Sequence, residues 1–317
     1  MTRLPELTWR PRAASLVGCL EGIAGYLGVG ASPAWIAAAV GQAFLLIVDD
    51  TLCPSGPSEW DYLRTLKQTG PNVGLDIAYE GAFPHADDFG AKQAAIRRST
   101  QRHLDNGVPC FGWHFEFIVI NGYDDSTYHL SGPLDGSRAA GAGGPMLWRE
   151  FGAGAVGFVE MLSARKTEPA TGARVVRDAL RLAVDIAHER EGHPEWGCLA
   201  AYDNWVRGLE AGNDEYAGGA GYHAAIWSEC RGFAVEFLKE EGECVPGVDD
   251  LLQHALAHYA TVHERLADVA RLFPPPWEDR AVAADEARWK AAANHVAAAR
   301  DAETRGVAAL ETALAAM

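Results

Sequence analysis

The stretch "LVGCLEGIAGYLG" (16–28) decides how this chain is read. It opens an apolar helix and sets Cys19 directly after Gly18. A thiol at a helix N-terminus ionises more readily, because the helix dipole favours negative charge there. A small sulfur-bearing core residue in an apolar segment looks the same. The rest of the chain has to separate the two readings.

The chain has 317 residues, 48% of them hydrophobic and 22% charged, which fits a globular protein with its own core. Its net charge of −16 argues against nucleic acid and anionic membrane as partners, since both need a basic face. The cysteines at 19, 53, 110, 198, 230 and 244 form no CxxC pair, which excludes a zinc ribbon or a thioredoxin motif. With no apolar signal segment at the start, free thiols and a cytoplasmic location are expected. The uncharged run 28–48 is long enough to span a bilayer. Ser32 and Pro33, however, suit the N-cap and first position of a short helix, and Gly41 suits its end. "AFLLIV" (43–48) then reads as a buried strand.

Residues 1–140 mix strand-like runs with helices. Strands are expected at 73–80, 108–122 and 126–132, and a helix over 87–107 closed by Gly107. The Gly/Ala-rich stretch 136–145 reads as a linker or loop. Residues 141–317 carry helical periodicity, notably in 173–187, 198–212, 221–242, 249–273 and 285–315. The expected organisation is therefore an α+β domain over 1–140 and a C-terminal α-helical bundle over 141–317.

The second informative stretch is "GVPCFGWHFEFIVINGYDDSTYHLSGP" (107–133). Read as one alternating strand, "WHFEFIVI" puts His114 and Glu116 on the same face, where either could serve a thiol as base or orienter. "NGYDD" (121–125) then marks a turn into the partner strand. A half-exposed strand with two solvated polar groups has the same pattern.

Taken with the Cys19 helix, this stretch resembles a known group. Cys19, "YLG", a Ser-initiated helix, "GQAF", "GVP…W" and "GYDD" succeed one another over residues 14–133 as in the papain-like fold of the C39-type cysteine peptidases. The closest likeness is to the N-terminal domain of the butirosin biosynthesis protein H family. The resemblance implies a papain-like α+β core in which Cys19 is the nucleophile of acyl transfer or of amide or peptide hydrolysis. An acyl carrier protein is an implied donor partner. In such sequences the catalytic His stands six residues before the Gly of "GYD". Here that position holds Glu116, and His114 lies two residues earlier. No Gln precedes Cys19 to supply an oxyanion-hole amide; Ser15 is the nearest polar side chain. A carboxylate beside a thiol raises its pKa, which opposes a thiolate.

The helical half has candidates of its own. His223, Trp227 and Arg231 recur at four-residue steps and share a helix face, with Tyr202 and Tyr222 nearby in sequence. Together with Trp113 they are the candidate ligand-binding residues; packing in the core is the bland alternative. His254 and His258 have zinc spacing, but "HALAH" lacks the Glu of HExxH and shows no third ligand, so no metal is assigned. The acidic turns at 85–88 and 123–125 read as caps and turn formers.

These readings converge on a cofactor-free, cysteine-dependent acyltransferase or amide hydrolase for a small molecule or peptide in specialised metabolism. Cys19 would be the nucleophile, His114 or Glu116 the base or orienter, and Asn121 or Asp124 a supporting polar group. The competing reading is a non-catalytic papain-like protein that binds a small ligand or partner between its two domains.

Overall fold

The computed structural model describes all residues except 84–87, 135–137, 154–156, 171–172, 189–196, 213–216, 242–244, 246 and 276–283. Most of the acidic turn at 85–88 therefore lies outside the described residues. The architecture is α+β with a C-terminal helical region. The chain forms two compact units, one made of residues 1–36 and 63–170, the other of 37–62 and 171–317.

The first unit is built on a 7-stranded antiparallel sheet. Its strands are β1 (Thr2–Arg3), β2 (Leu75–Ala82), β3 (Cys110–His114), β4 (Glu116–Tyr123), β5 (Thr127–Ser131), β6 (Gly143–Leu147) and β7 (Val159–Lys166). They are ordered β2-β7-β3-β4-β5-β6, with β1 pairing β4. Helix α1 (Ser15–Tyr26) lies against β4. Helix α2 (Pro33–Ala39) starts where the Ser32 hydroxyl accepts the Trp35 N–H at 3.0 Å, as an N-cap should. Helix α3 (Tyr62–Thr69) comes next, and α4 (Phe89–Asp105) ends at Gly107, whose φ of +69° lets the chain turn into β3.

β4 is buried on both faces. Ile118 and Ile120 join Ile96 and Leu104 of α4, Cys110 and Phe151 in one apolar cluster, while Phe117 and Val119 point the other way.

Three expectations are corrected here. The stretch 108–122 is not one strand. It reverses at Phe115, whose φ of +62° lies in the left-handed region, so β3 and β4 form a tight hairpin with His114 opposite Glu116. The Gly/Ala-rich stretch from 136 is not only a loop, since its last residues enter β6. β7, inside the stretch expected to be helical, pairs with both β2 and β3.

The second unit contains α5 (Ala173–Ala187), α6 (Cys198–Ala211), α7 (Ala217–Glu241), α8 (Asp249–Leu272) and α9 (Glu286–Ala316). Its centre is the guanidinium of Arg231, which has no solvent exposure. Arg231 Nε and Nη2 donate to the two Glu303 oxygens at 2.8 and 2.6 Å. Its Nη1 donates to the carbonyls of Ala43 and Leu45 at 3.0 and 2.8 Å. The buried Tyr202 hydroxyl also donates to Glu303. Burial pulls the Arg231 pKa down, and the Glu303 carboxylate together with Tyr202 and Tyr259 more than offsets this, so the guanidinium stays charged.

This network explains why "AFLLIV" is not a strand. Its carbonyls go to side chains, Ala43 and Leu45 to Arg231 and Val48 to the Asn204 amide at 3.0 Å. One isolated bridge, Ile47 to Gly197, is its β-type pairing among the described residues. Replacing Arg231 by Met leaves a buried carboxylate without its cation, and urea denaturation should show a loss of about 3 to 5 kcal/mol.

His223 is buried in the same unit. Its Nδ1 accepts the Trp227 indole N–H at 3.2 Å, so its Nε2 carries the proton donated to the Cys53 carbonyl at 2.9 Å. Protonation would set two N–H groups against each other at Nδ1. Burial accordingly pushes this imidazole down to about 4, with the Cys53 bond and Asp49 acting against the shift. Because the folded value is depressed, the neutral ring's contribution is complete above the unfolded value near 6.5 and is lost as pH falls from there toward 4. Unfolding followed from pH 7 to pH 4 should show a loss of about 3 kcal/mol from this group, and His223→Gln should flatten that part of the slope.

Candidate functional site

Cys19 is not at a helix N-terminus. α1 begins at Ser15, which puts Cys19 in the second turn, beyond the reach of the terminal dipole. The residue is fully buried. The extended segment 8–10 lies across its helix because Gly18 and Gly22 leave room. A Cβ on Gly18 would stand 2.3 Å from Trp9 Nε1, and one on Gly22 would stand 2.0 Å from the Thr8 carbonyl oxygen. The Trp9 indole N–H also donates to the Ser15 carbonyl at 3.1 Å. Burial pushes the Cys19 thiol well above its ordinary range, and the Glu116 charge pushes it further in the same direction.

Glu116 stands near Cys19 but is engaged elsewhere. The Ser15 hydroxyl donates to Glu116 Oε2 at 2.6 Å and accepts the Phe117 N–H at 3.1 Å. Arg138 donates to Glu116 Oε1, and its other nitrogen donates to the Arg12 carbonyl at 2.9 Å. This carboxylate therefore ties the start of α1, the start of β4 and residue 138 together. Ser15 and Arg138 are the partners that sequence reasoning misses. The sequence marks Ser15 only as the nearest polar side chain to Cys19, and Arg138 only as a charge inside a Gly/Ala-rich run.

His114, opposite Glu116 in register, has different partners. Its Nδ1 accepts the Gly152 N–H at 3.0 Å, and its ring stacks on Phe151 at 5.8 Å, a member of the cluster shared with α4. Partial burial lowers its pKa, and the nearby Glu150 opposes that shift. The electrostatic partner of Cys19 is thus Glu116, and that of His114 is Glu150.

The remaining candidates separate as well. Asp124 accepts the Ser126 and Thr127 N–H groups at 2.9 and 2.8 Å and the Thr127 hydroxyl at 2.7 Å, which hold its carboxyl far below the usual range. It is the turn former of the β4–β5 hairpin. Eight residues of strand put it roughly 25 Å from Glu116 along β4. Asn121 lies near the same end, its carbonyl accepting the Leu4 N–H at 2.7 Å.

Tyr202, His223, Trp227 and Arg231 are all buried, in the polar network already described, and Tyr222 is half-buried with its ring 6.3 Å from that of His223. They form packed interior of the second unit, which is the bland alternative for that helix face. Trp113, in the first unit, is half-buried, stacked on Phe158 at 5.1 Å and tilted against Phe115 at 5.8 Å.

His263 Nδ1 is hydrogen-bonded to the Ser228 carbonyl at 2.8 Å. Among the described residues, no group of three or more His, Cys, Asp or Glu is placed to hold a metal ion, and no helix is long and apolar enough to cross a membrane. No family model, curated protein or solved structure matches this chain.

Glu116→Gln keeps the shape of the junction but removes the charge that Arg138 and Ser15 address. Its unfolding free energy should fall by about 2 kcal/mol in urea titrations, with the larger effect at low salt.

Proposed function

We propose that this protein is a non-catalytic binding protein whose first unit is a papain-like core with a silenced thiol. The observation that carries this reading is the environment of Cys19: buried, in the second turn of α1, and beside a carboxylate. A nucleophilic cysteine needs an ionised, reachable sulfur with a cation or imidazole beside it. Here desolvation and Glu116 both favour the thiol over the thiolate. His114, the imidazole among the two candidate bases of the enzyme reading, accepts a backbone N–H at Gly152.

Support for the papain-like core comes from the order of elements, a cysteine-bearing helix laid on an antiparallel sheet whose hairpins carry "GVP…W" and "GYDD". Cys19, Cys53, Cys110 and Cys230 are free thiols, which supports a reducing, cytoplasmic setting. The ligand of such a protein is a small molecule or partner held without bond cleavage, in keeping with descent from an enzyme of specialised metabolism.

Peptide-mapped alkylation of the native protein by iodoacetamide between pH 6 and 9 tests this reading. Partly exposed Cys53 should label first and serve as the internal reference. Cys19 should label only at the rate of unfolding. Rapid labelling of Cys19 in the folded protein, with an inflection below the free-thiol value of about 8.5, would restore the enzyme reading.

A further inference from the structure

The sheet of the first unit has two outer strands, β6 and β2, and they meet water differently. A free strand edge is a row of unpaired N–H and C=O groups, which folded chains blunt with short strands, proline, irregular backbone or charge. β6 is blunted in three ways. It has five residues, Pro145 stands in its middle, and Gly143 and Gly144 hold positive φ. β2 runs eight residues without proline, and it pairs with β7 in one unbroken register from Leu75 opposite Lys166 to Ala82 opposite Val159. Its charges are Asp76, near its start, and Glu80, which turns inward to accept the Ser99 hydroxyl of α4. Among the described residues, no other strand pairs the outer edge of β2.

The last part of this edge is apolar. Glu80 and Ala82 face α4, and Ala82 joins the cluster with Ile96 and Leu104. Alternation puts Tyr79 and Gly81 on the opposite face. Phe83, next after β2, packs its ring against Phe158 at 6.0 Å. Tyr79 is 41% exposed and Phe83 62%. The Tyr79 ring lies along the strand over Gly81, where a Cβ would stand 1.9 Å from the phenol oxygen. One partner matches this edge in backbone and side chains together: the same edge, turned about a two-fold axis through Gly81. The two strands are then antiparallel, and Tyr79 of each copy stands directly opposite Phe83 of the other, a favourable cross-strand pair. Gly81 lies opposite itself and leaves room for the ring above it. Glu80 meets Ala82 of the second copy, so no two acids are opposed. An axis through Glu80 would oppose the two carboxylates, and one through Tyr79 would set Phe83 against Leu75, which has no exposure.

We propose that β2 pairs with β2 of a second copy of this chain about Gly81, making a two-fold dimer whose sheet runs through both first units. Strand hydrogen bonds supply the contact, and the two Tyr79–Phe83 pairs fix the register. The contact is small, at the weak end of specific association, so the dimer dissociates on dilution. Each copy carries a net charge of −16, and this repulsion is screened by salt, so association tightens as salt rises. Pairing at this edge is independent of the state of Cys19 and goes beyond the binding-protein reading.

Sedimentation equilibrium of the full chain over a concentration series, at low and high salt, tests the dimer. A reversible monomer–dimer equilibrium that tightens with salt is expected. Tyr79→Ser and Phe83→Ser leave the charge unchanged, and each removes a ring from both cross-strand pairs. Each should weaken the dimer about tenfold. Phe115→Asn removes another open ring, 55% exposed but away from this edge, at a positive φ that asparagine tolerates. It should leave the dimer unchanged, and circular dichroism checks the fold of all three variants. The register has its own test. Tyr79→Cys and Phe83→Cys chains, mixed and oxidised, should join to each other faster than either joins to itself, because opposite Cβ atoms stand about 4.5 to 5.5 Å apart. A chain that stays monomeric, or a dimer that neither serine variant weakens, would overturn the proposal. So would a dimer that Phe115→Asn weakens equally, or a disulfide that forms as fast within one cysteine variant as between the two.

Discussion

The second unit depends on a guanidinium that never meets water. Arg231 sits on α7, its carboxylate partner Glu303 on α9, and the carbonyls it caps on the segment 43–48. Each of these groups would be costly to bury alone, and together they satisfy one another. The arrangement fixes where two helices and an irregular chain segment lie, because moving any of them strands a charge or a carbonyl. Glu116 works by the same logic in the first unit, on a smaller scale and at partial exposure. It joins α1 to the β3–β4 hairpin through Ser15 and reaches residue 138 through Arg138.

That junction bears directly on chemistry. A carboxylate committed to a serine and an arginine is in no position to deprotonate a thiol. Its charge near a buried sulfur also stabilises the neutral form. The structural role of Glu116 and the inertness proposed for Cys19 are therefore two results of one placement. The glycines at 18 and 22 let the segment 8–10 close over the helix that carries the buried sulfur.

Much of the helical architecture is legible in the sequence because periodicity is a local signal. α4 through α9 match apolar spacing, and Ser32 and Gly107 mark ends where the hydrogen bonding and backbone geometry agree. The differences between expectation and structure share one physical cause, which is that the deciding partner is remote in sequence or silent in composition. "AFLLIV" has strand composition, but Arg231, 188 residues beyond Ala43, takes its carbonyl. The alternation in "WHFEFIVI" suggests a chain running straight through Phe115, since nothing about a phenylalanine announces a left-handed turn. β7 is masked by the helical character of the chain beyond it. At the candidate site, the opposition between a carboxylate and a thiolate is legible from Glu116 and Cys19 alone. The divergence of His114 is not, because it depends on the reversal at Phe115.

The discontinuity of both units has a consequence for how the chain is made. Residues 37–62 leave the ribosome before most of the first unit, yet they belong to the second. At about 5 to 20 residues per second, Arg231 emerges roughly ten to forty seconds after Ala43. Through that interval an apolar, strand-prone hexapeptide waits without the side chains that will cap it, while strands of the first unit are still being synthesised.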